Sequence, residues 1–145
     1  MKVYSTPYKS SEYFEATALR DSELRRPLGM VLSQDEIDRD CEAMHLVGYS
    51  DTHLAAYASV WNTSDEYTAQ IRQVVVAPEF RGQGLGRQIM KACEDQASRL
   101  GKTQVILHAR NTVVDFYVRL DYVISGAPFE EVGIVHRLMI KPLTC

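Results

Sequence analysis

The spacing of apolar and polar residues along the chain changes near residue 77. Before that point, short alternation predicts a strand over 2–5, and helical spacing predicts a helix over 10–26. Ser33 precedes Glu36 by three residues, which is the spacing of a capping box and indicates a second short helix. Alternating segments separated by polar turns then predict an antiparallel meander of three strands, over 42–49, 53–61 and 66–76.

After residue 77 the apolar positions recur at helical spacing. They predict a helix that begins near Leu85 and ends at Gly101, a buried strand over 105–107 and a helix over 112–120. Two more strands, over 122–125 and 132–140, complete the chain. A strand, a helix and a strand in this order imply a right-handed parallel crossover. The predicted fold class is therefore α+β, with a mixed and mostly antiparallel β-sheet.

Composition narrows the classes of function. The chain has 145 residues, of which 46% are hydrophobic, and this suits one globular domain spanning 1–145. Lys and Arg number 16 against 19 Asp and Glu, so the net charge is −3. That balance argues against a nucleic-acid partner and weakly favours a cationic acceptor. No apolar run has the length of a membrane span or a signal peptide, so no membrane partner is expected.

Cysteine and histidine spacing indicates neither a metal site nor a disulfide framework. Cys41, Cys93 and Cys145 are far apart and form no C-x-x-C pair. Unpaired cysteines are typical of a reducing compartment, which predicts a cytoplasmic protein.

The segment after the third strand of the meander carries the clearest chemistry. Gly82, Gly84 and Gly86 allow a sharp turn and a close approach to a ligand, and Arg81 and Arg87 flank them with positive charge. Backbone N–H groups at the start of the following helix favour an anion at the same place. The segment therefore predicts a phosphate or pyrophosphate site.

Spacing excludes two familiar nucleotide motifs. The dinucleotide fingerprint needs Gly at its first, third and sixth positions, but Arg87 is sixth from Gly82 and Ile89 is sixth from Gly84. The P-loop needs Gly, four other residues and then Gly-Lys followed by Ser or Thr. Gly101-Lys102-Thr103 is such a triplet, but Gln96 stands where the motif needs its first Gly. A nucleotide-phosphate binder that uses neither motif stays an alternative.

The motif Arg81-x-x-Gly84-x-Gly86, between a Val-rich strand and an amphipathic helix, resembles the acetyl-CoA motif of the GNAT acyltransferases. Asn111 follows the next strand, and the segment from Phe116 to Tyr122 is similar to the family's Phe-Tyr-x-x-x-Gly-Phe signature. Asp121 stands where the family usually has Gly. Because Asp tolerates the left-handed conformation, we expect the turn there to survive.

The resemblance implies acetyl-CoA as the cofactor and a GNAT-like sheet with helices on both faces. It also implies a gap between the strands at 66–76 and 104–109 that admits the pantetheine arm. For Asn111, a helix N-cap without cofactor contact is an equal alternative. The cofactor-binding residues that the resemblance implies are Val74, Val75, Val76, Arg81, Gly82, Gln83, Gly84, Leu85, Gly86, Arg87, Asn111 and Tyr117.

The activity implied by the resemblance is transfer of an acetyl or short acyl group from acyl-CoA to a primary amine, by direct attack in a ternary complex. The acceptor would be a small molecule or a peptide, and a homodimer is common in the family. Because acyl-CoA binding and catalysis share the same loop, a non-catalytic acyl-CoA sensor or interaction module is the alternative.

Candidate catalytic residues come partly from the resemblance and partly from side-chain chemistry. By resemblance, Tyr117 is the general acid that protonates the leaving thiolate, although its apolar helix face also suits a core tyrosine. His136 and His45 are candidates for the base, and each also suits a hydrogen-bonded core histidine, as does His108. A water chain ending on a carboxylate is the alternative base. We expect Arg25, Arg26 and Arg72 at a solvated or ion-paired surface.

Overall fold

A computed structural model describes residues 1–144 and contains one seven-stranded sheet. The strand order is β1-β2-β3-β4-β5-β7-β6; β4 and β5 are parallel, and the other neighbours are antiparallel. The α+β class and the mixed, mostly antiparallel sheet are thereby confirmed. The strands are β1 (Lys2–Thr6), β2 (Met44–Ser50), β3 (His53–Asn62), β4 (Thr68–Val76), β5 (Gln104–Arg110), β6 (Val123–Glu131) and β7 (Ile134–Pro142). The helices are α1 (Ser11–Arg20), α2 (Gln34–Arg39), α3 (Leu85–Arg99) and α4 (Val114–Val118).

The chain is helical over the predicted range 10–26, but the type of helix changes after Arg20. α1 ends at Arg20, a single π turn follows over Asp21–Arg25, and a 3-10 turn ends at Gly29, which has φ 72°. Because a π turn places residues five apart on the same side, it brings Arg20 and Arg25 to the buried side together. The capping box between Ser33 and Glu36 at the start of α2 is confirmed.

β6 is longer than predicted, and β7 has the predicted length but begins two residues later, because the ends of both strands depend on backbone geometry. Val132 and Gly133, at φ 48° and 74°, form a tight two-residue turn, so β6 continues to Glu131. A register shift between Ser125 and Phe129 lets β6, an edge strand, accommodate Pro128.

Helices cover both faces of the sheet, as predicted. α3 and α4 pack on one face around Ile89, Cys93 and Tyr117, and α1 packs on the other face around Ala16 and Tyr57. The other cysteines differ from Cys93: Cys41 is exposed, and Cys145 lies outside the described residues. None of the helices in residues 1–144 has both the length and the apolar character needed to cross a membrane.

A buried polar network connects the helix layer under α1 to the sheet. Arg20 and Asp40, which are 1% and 2% exposed, form an ion pair with Nη1 and Oδ2 2.7 Å apart. Tyr13 donates to the same Oδ2 over 2.6 Å, and Arg20 Nε donates to Gln73 Oε1 over 2.5 Å. The network joins α1, the turn after α2 and β4 into one unit.

β4 and β5 pair only along their first halves. The paired residues end at Gln70 and Ile106, after which β4 continues beside β3 and β5 continues beside β7. A bulge in β4 opposite Ala58 places Gln73 at φ 55° and bends the strand. The predicted gap between these two strands is confirmed, and it opens towards Val76 and Arg110.

We predict that Arg20→Met lowers the free energy of unfolding by about 3–5 kcal/mol, because Asp40 would stay buried without its partner. Arg26→Met is the matched control. It breaks the pair with Asp21 on a side chain that is 64% exposed, and should cost about 1 kcal/mol or less. Urea unfolding followed by circular dichroism measures both variants. Equal losses in the two variants would contradict the role given to burial.

Candidate active site

A cleft of about 910 Å³ opens where β4 and β5 separate. This volume lies within the usual range for a small-molecule or cofactor site. Its walls come from the diverging halves of both strands, the glycine loop, α4 and the layer of α1 and α2. The cleft therefore connects the two faces of the sheet at the place where strand pairing ends.

The glycine loop leads from β4 into α3. Gly82 and Gly84 have φ 79° and 77°, and Gly84 is the N-cap of α3 with no side-chain capping bond. Side chains other than Gly are strained at these angles, so the loop conformation depends on both residues. The first N–H groups of α3 have no acceptor within the helix, and they lie where the helix dipole favours an anion. The loop is thus suited to hold phosphate oxygens.

Gly86 allows the start of α3 to pack closely against α4. A methyl group added to Gly86 would lie 3.0 Å from Phe116 Cζ, which is tighter than ordinary contact. This packing brings the glycine loop beside Tyr117, the next residue of α4.

The residues predicted to bind phosphate differ in whether they line the cleft and in whether they are already paired. Arg87 is exposed and lines the cleft. Arg81 also lines the cleft, but its Nη2 donates to Glu23 Oε1 over 2.7 Å, and Nε donates to the Val76 carbonyl over 3.3 Å. Gln83 is exposed and lies outside the cleft lining. Two arginines therefore lie at this end of the cleft, and one of them, Arg81, is already paired with Glu23 in the π turn.

The end of β4 presents backbone groups to the cleft. Val74, Val75 and Val76 all line it, and in this part β5 has moved away from β4. Backbone N–H and C=O groups on an unpaired strand edge can bond to an extended ligand that carries amides.

Tyr117 lies on α4 at the wall of the cleft and is 8% exposed. Its ring packs edge-on against Phe116 and Tyr122, and within residues 1–144 its hydroxyl has no hydrogen-bond partner. Burial raises the pKa of Tyr117 above its usual range, so the phenol keeps its proton at neutral pH. Asp121 has φ 73° after α4, which confirms the predicted left-handed turn.

His45 is not brought to the cleft. It is 1% exposed under α1; its Nε2 lies 2.8 Å from the Asp40 carbonyl and its Nδ1 lies 2.7 Å from the Tyr57 hydroxyl. Because a carbonyl only accepts, Nε2 carries the proton, and Nδ1 accepts from Tyr57. Burial lowers the pKa of His45, which favours this neutral form. Both ring nitrogens are occupied, so the expectation of His45 as a base is wrong for this structure.

His136 lies on β7 beside Arg110 and lines the cleft. Its Nδ1 is 2.8 Å from the Ile134 carbonyl and must donate to it, so in the neutral ring Nε2 has a free lone pair. A neutral imidazole with one nitrogen fixed in this way is able to accept a proton from a ligand in the cleft.

A second histidine, which the sequence pattern did not indicate as a candidate base, also reaches the cleft. His108 lies on the same face of β5 as Arg110, is partly exposed, and its Nδ1 is 2.7 Å from Glu131 Oε2. The prediction that this histidine is hydrogen-bonded is confirmed, whereas its predicted place in the core is wrong. Alternation along β5 places His108 opposite the buried Leu107, but only the β6–β7 hairpin brings Glu131 to it.

Asn111 does not cap a helix. It is exposed, lies outside the cleft lining, and begins a 3-10 turn with no side-chain capping bond. The N-cap interpretation is wrong, and a contact with a bound cofactor stays a prediction.

Two of the arginines expected at a solvated or ion-paired surface line the cleft. Arg25 is ion-paired with Glu36 but buried, which the prediction missed. Arg72 is exposed, as expected, and lies over the ring of Trp61, with its guanidinium carbon 4.9 Å from the ring centroid. Arg26 forms the expected exposed ion pair with Asp21. The cleft therefore has a basic second end beneath α1 and α2.

A family model and several known proteins match the chain. The model of the Acetyltransferase (GNAT) domain matches residues 15–143. An uncharacterized protein of Bacillus subtilis, YyaT, is 33% identical over 78 residues, which are 54% of this chain and 53% of that protein. The chain thus spans about half the length of this curated relative.

Solved structures show the same fold over the whole chain. An aminoglycoside 6'-N-acetyltransferase complexed with coenzyme A has a TM-score of 0.82 at 11% identity, covering 100% of this chain and 98% of its own. A GNAT family acetyltransferase from Elizabethkingia anophelis with acetyl-CoA bound has a TM-score of 0.72 at 16% identity, covering 98% and 97%.

Proposed function

The chain belongs to the GNAT acetyltransferase family, and from this premise we propose that it transfers an acetyl or short acyl group from acyl-CoA to a primary amine. The observation that carries the proposal is the single cleft in which the glycine loop, the unpaired edge of β4 and Tyr117 meet. Acyl-CoA offers a pyrophosphate, an arm with two amides and a thioester, and these three features of the cleft fit them in that order.

The binding part of the proposal follows from the donors that the chain presents. The N–H groups at the start of α3, with Arg81 and Arg87, would hold the pyrophosphate. Backbone groups of Val74 and Val76 would pair with the amides of the arm. The bound cofactor supplies the acyl group as a thioester, and structures of similar fold contain coenzyme A or acetyl-CoA.

The catalytic part assigns each proton to a residue. An ammonium has no lone pair, so His136 Nε2 would first take a proton from the acceptor amine. A backbone N–H at Val75 or Val76 would stabilise negative charge that develops on the carbonyl oxygen as the amine attacks. Tyr117 would give its proton to the departing thiolate, and the second proton that the amine nitrogen loses as the amide forms would restore the phenol of Tyr117. A phenol is a weaker acid than a thiol, so this transfer requires the two groups to be in contact.

Tyr117→Phe should lower kcat by about 10²–10⁴-fold while the KM for acetyl-CoA stays nearly unchanged. The matched control is Tyr122→Phe, which removes a neighbouring hydroxyl that donates to Glu94 in the core, 2.8 Å away. That variant should lose stability but keep kcat. Release of free thiol, measured with and without an acceptor amine, reports turnover. An unchanged kcat in Tyr117→Phe would contradict the assignment.

His136→Asn should lower kcat by about 10²–10⁴-fold while the KM for acetyl-CoA stays nearly unchanged, because the variant has no ring nitrogen to take a proton from the acceptor amine. His53→Asn, at an exposed position outside the cleft, is the matched control and should keep the wild-type kcat. Release of free thiol in the presence of an acceptor amine measures both variants. An unchanged kcat in His136→Asn would place the base elsewhere, with the His108–Glu131 pair as the next candidate.

Gly84→Ala should weaken coenzyme A binding by about 5- to 30-fold, because strain of about 1–2 kcal/mol at φ 77° is relieved only by moving the loop. Gly101→Ala is the control: its φ is 82°, so it has the same strain, but it follows α3 away from the cleft. Isothermal calorimetry with coenzyme A and with ATP measures both variants. Tighter binding of ATP by the wild type would instead favour a nucleotide-phosphate binder.

The non-catalytic alternative gives a different combination of results. A sensor or interaction module would bind acetyl-CoA in the calorimeter, yet release no thiol when amines, peptides or polyamines are added. Acceptor-dependent release of thiol with any of them excludes that alternative.

A further inference from the structure

The charges along the second end of the cleft do not balance. Five arginines line it, but Arg20 is paired with Asp40 and Arg25 with Glu36. The third carboxylate, Glu131, bonds to His108. Within the described part of the chain, the remaining lining arginines have no carboxylate partner; they are Arg39, Arg72 and Arg110. This end of the cleft therefore carries an uncompensated positive charge.

Arg72 is held ready to bind an anion. Its guanidinium lies over Trp61, whose Nε1 donates to Ser59 Oγ over 2.9 Å, while Ser59 Oγ donates to the Arg72 carbonyl over 3.0 Å. The guanidinium itself is exposed and makes no side-chain hydrogen bond within the described residues, so its N–H groups are available to bind carboxylate or phosphate in a bidentate manner. Contact with the ring, which the two hydrogen bonds hold in place, restricts the side chain and lowers the conformational entropy lost when an anion binds.

The position of Arg72 relates this anion site to the reacting end of the cleft. Arg72 precedes Val75 by three residues on β4, which is at most about 10 Å along an extended strand. Trp61, on the neighbouring strand, adds an apolar surface beside the same space. A molecule whose amine lies at the gap between β4 and β5 can thus reach Arg72 with a group several bonds away.

We infer that the acceptor is an anionic amine, a primary amine whose chain also carries a carboxylate or phosphate group, and that Arg72 is the residue that recognises this group. The inference rests on the proposed acyl transfer and names its substrate class. It reverses the expectation drawn from the net charge of −3, which favoured a cationic acceptor.

Activity is tested with four amines of equal chain length that end in a methyl, carboxylate, phosphate or second amino group. The wild type should release thiol at least about tenfold more efficiently, in kcat/KM, with an anionic amine than with the methyl-terminated amine, and least with the diamine. Comparison of the carboxylate and phosphate amines shows which anion is bound.

Arg72→Gln should lower kcat/KM for the anionic amine about ten- to a hundredfold, whereas kcat/KM for the methyl-terminated amine, which has no group for Arg72 to bind, should stay the same. Arg99→Gln, an exposed position on α3 outside the cleft, is the control for loss of one charge.

Binding of the amine is measured separately from turnover by tryptophan fluorescence. Trp61 is the only tryptophan in the chain, so the signal reports on the surroundings of Arg72. The anionic amine should change Trp61 fluorescence at lower concentration than the methyl-terminated amine, and Arg72→Gln should abolish this difference. If no amine releases thiol but the anionic amine still changes Trp61 fluorescence selectively, the proposed acyl transfer is contradicted and the anion site is not. If all four amines give equal fluorescence changes and equal thiol release, the inference of an anionic acceptor is overturned, while the thiol release still supports acyl transfer.

Discussion

The buried ion pair between Arg20 and Asp40 is the interaction on which the cleft depends. Two charges removed from water destabilise a protein unless they meet with good geometry, and here they meet only when α1 lies against the sheet. The remaining Nε of Arg20 then bonds to Gln73, whose positive φ costs about 1–3 kcal/mol for a residue other than Gly. That residue forms the bulge where β4 bends, so the helix layer stabilises the strand geometry that opens the site.

Separation of β4 from β5 gives the cleft two chemically different ends. Towards α3, the glycine loop and free helix amides suit the phosphates of a cofactor. Beneath α1 and α2, arginines and an aromatic ring line the other end. Tyr117 and His136 belong to different elements, α4 and β7, that also line this opening. Opening a sheet therefore brings together groups that strand pairing would otherwise keep on opposite faces.

Local charge in the cleft is opposite in sign to the net charge because most carboxylates near it already have partners. Asp40 and Glu36 are bonded to arginines. Glu94 lies in the core on the other face of the sheet, where it accepts from the Tyr122 hydroxyl and from Lys141 Nζ, which is 2.9 Å from Glu94 Oε1. A sum over the sequence counts all of these charges equally, whereas a ligand meets only those that remain unpaired at the surface of the cleft.

Local sequence determined most of the fold: the meander, the glycine loop before α3 and the left-handed turn at Asp121 follow from spacing and backbone preference within a few residues. The same kind of signal predicted the loop residues of the site. Tertiary structure alone decided which histidine reaches the cleft, because His45 and His136 both lie on strands and differ only in what packs over them. Tertiary structure also decided that Arg25 is buried and that Arg72 lies over Trp61, since a π turn and a cross-strand contact depend on packing rather than on neighbours in the chain.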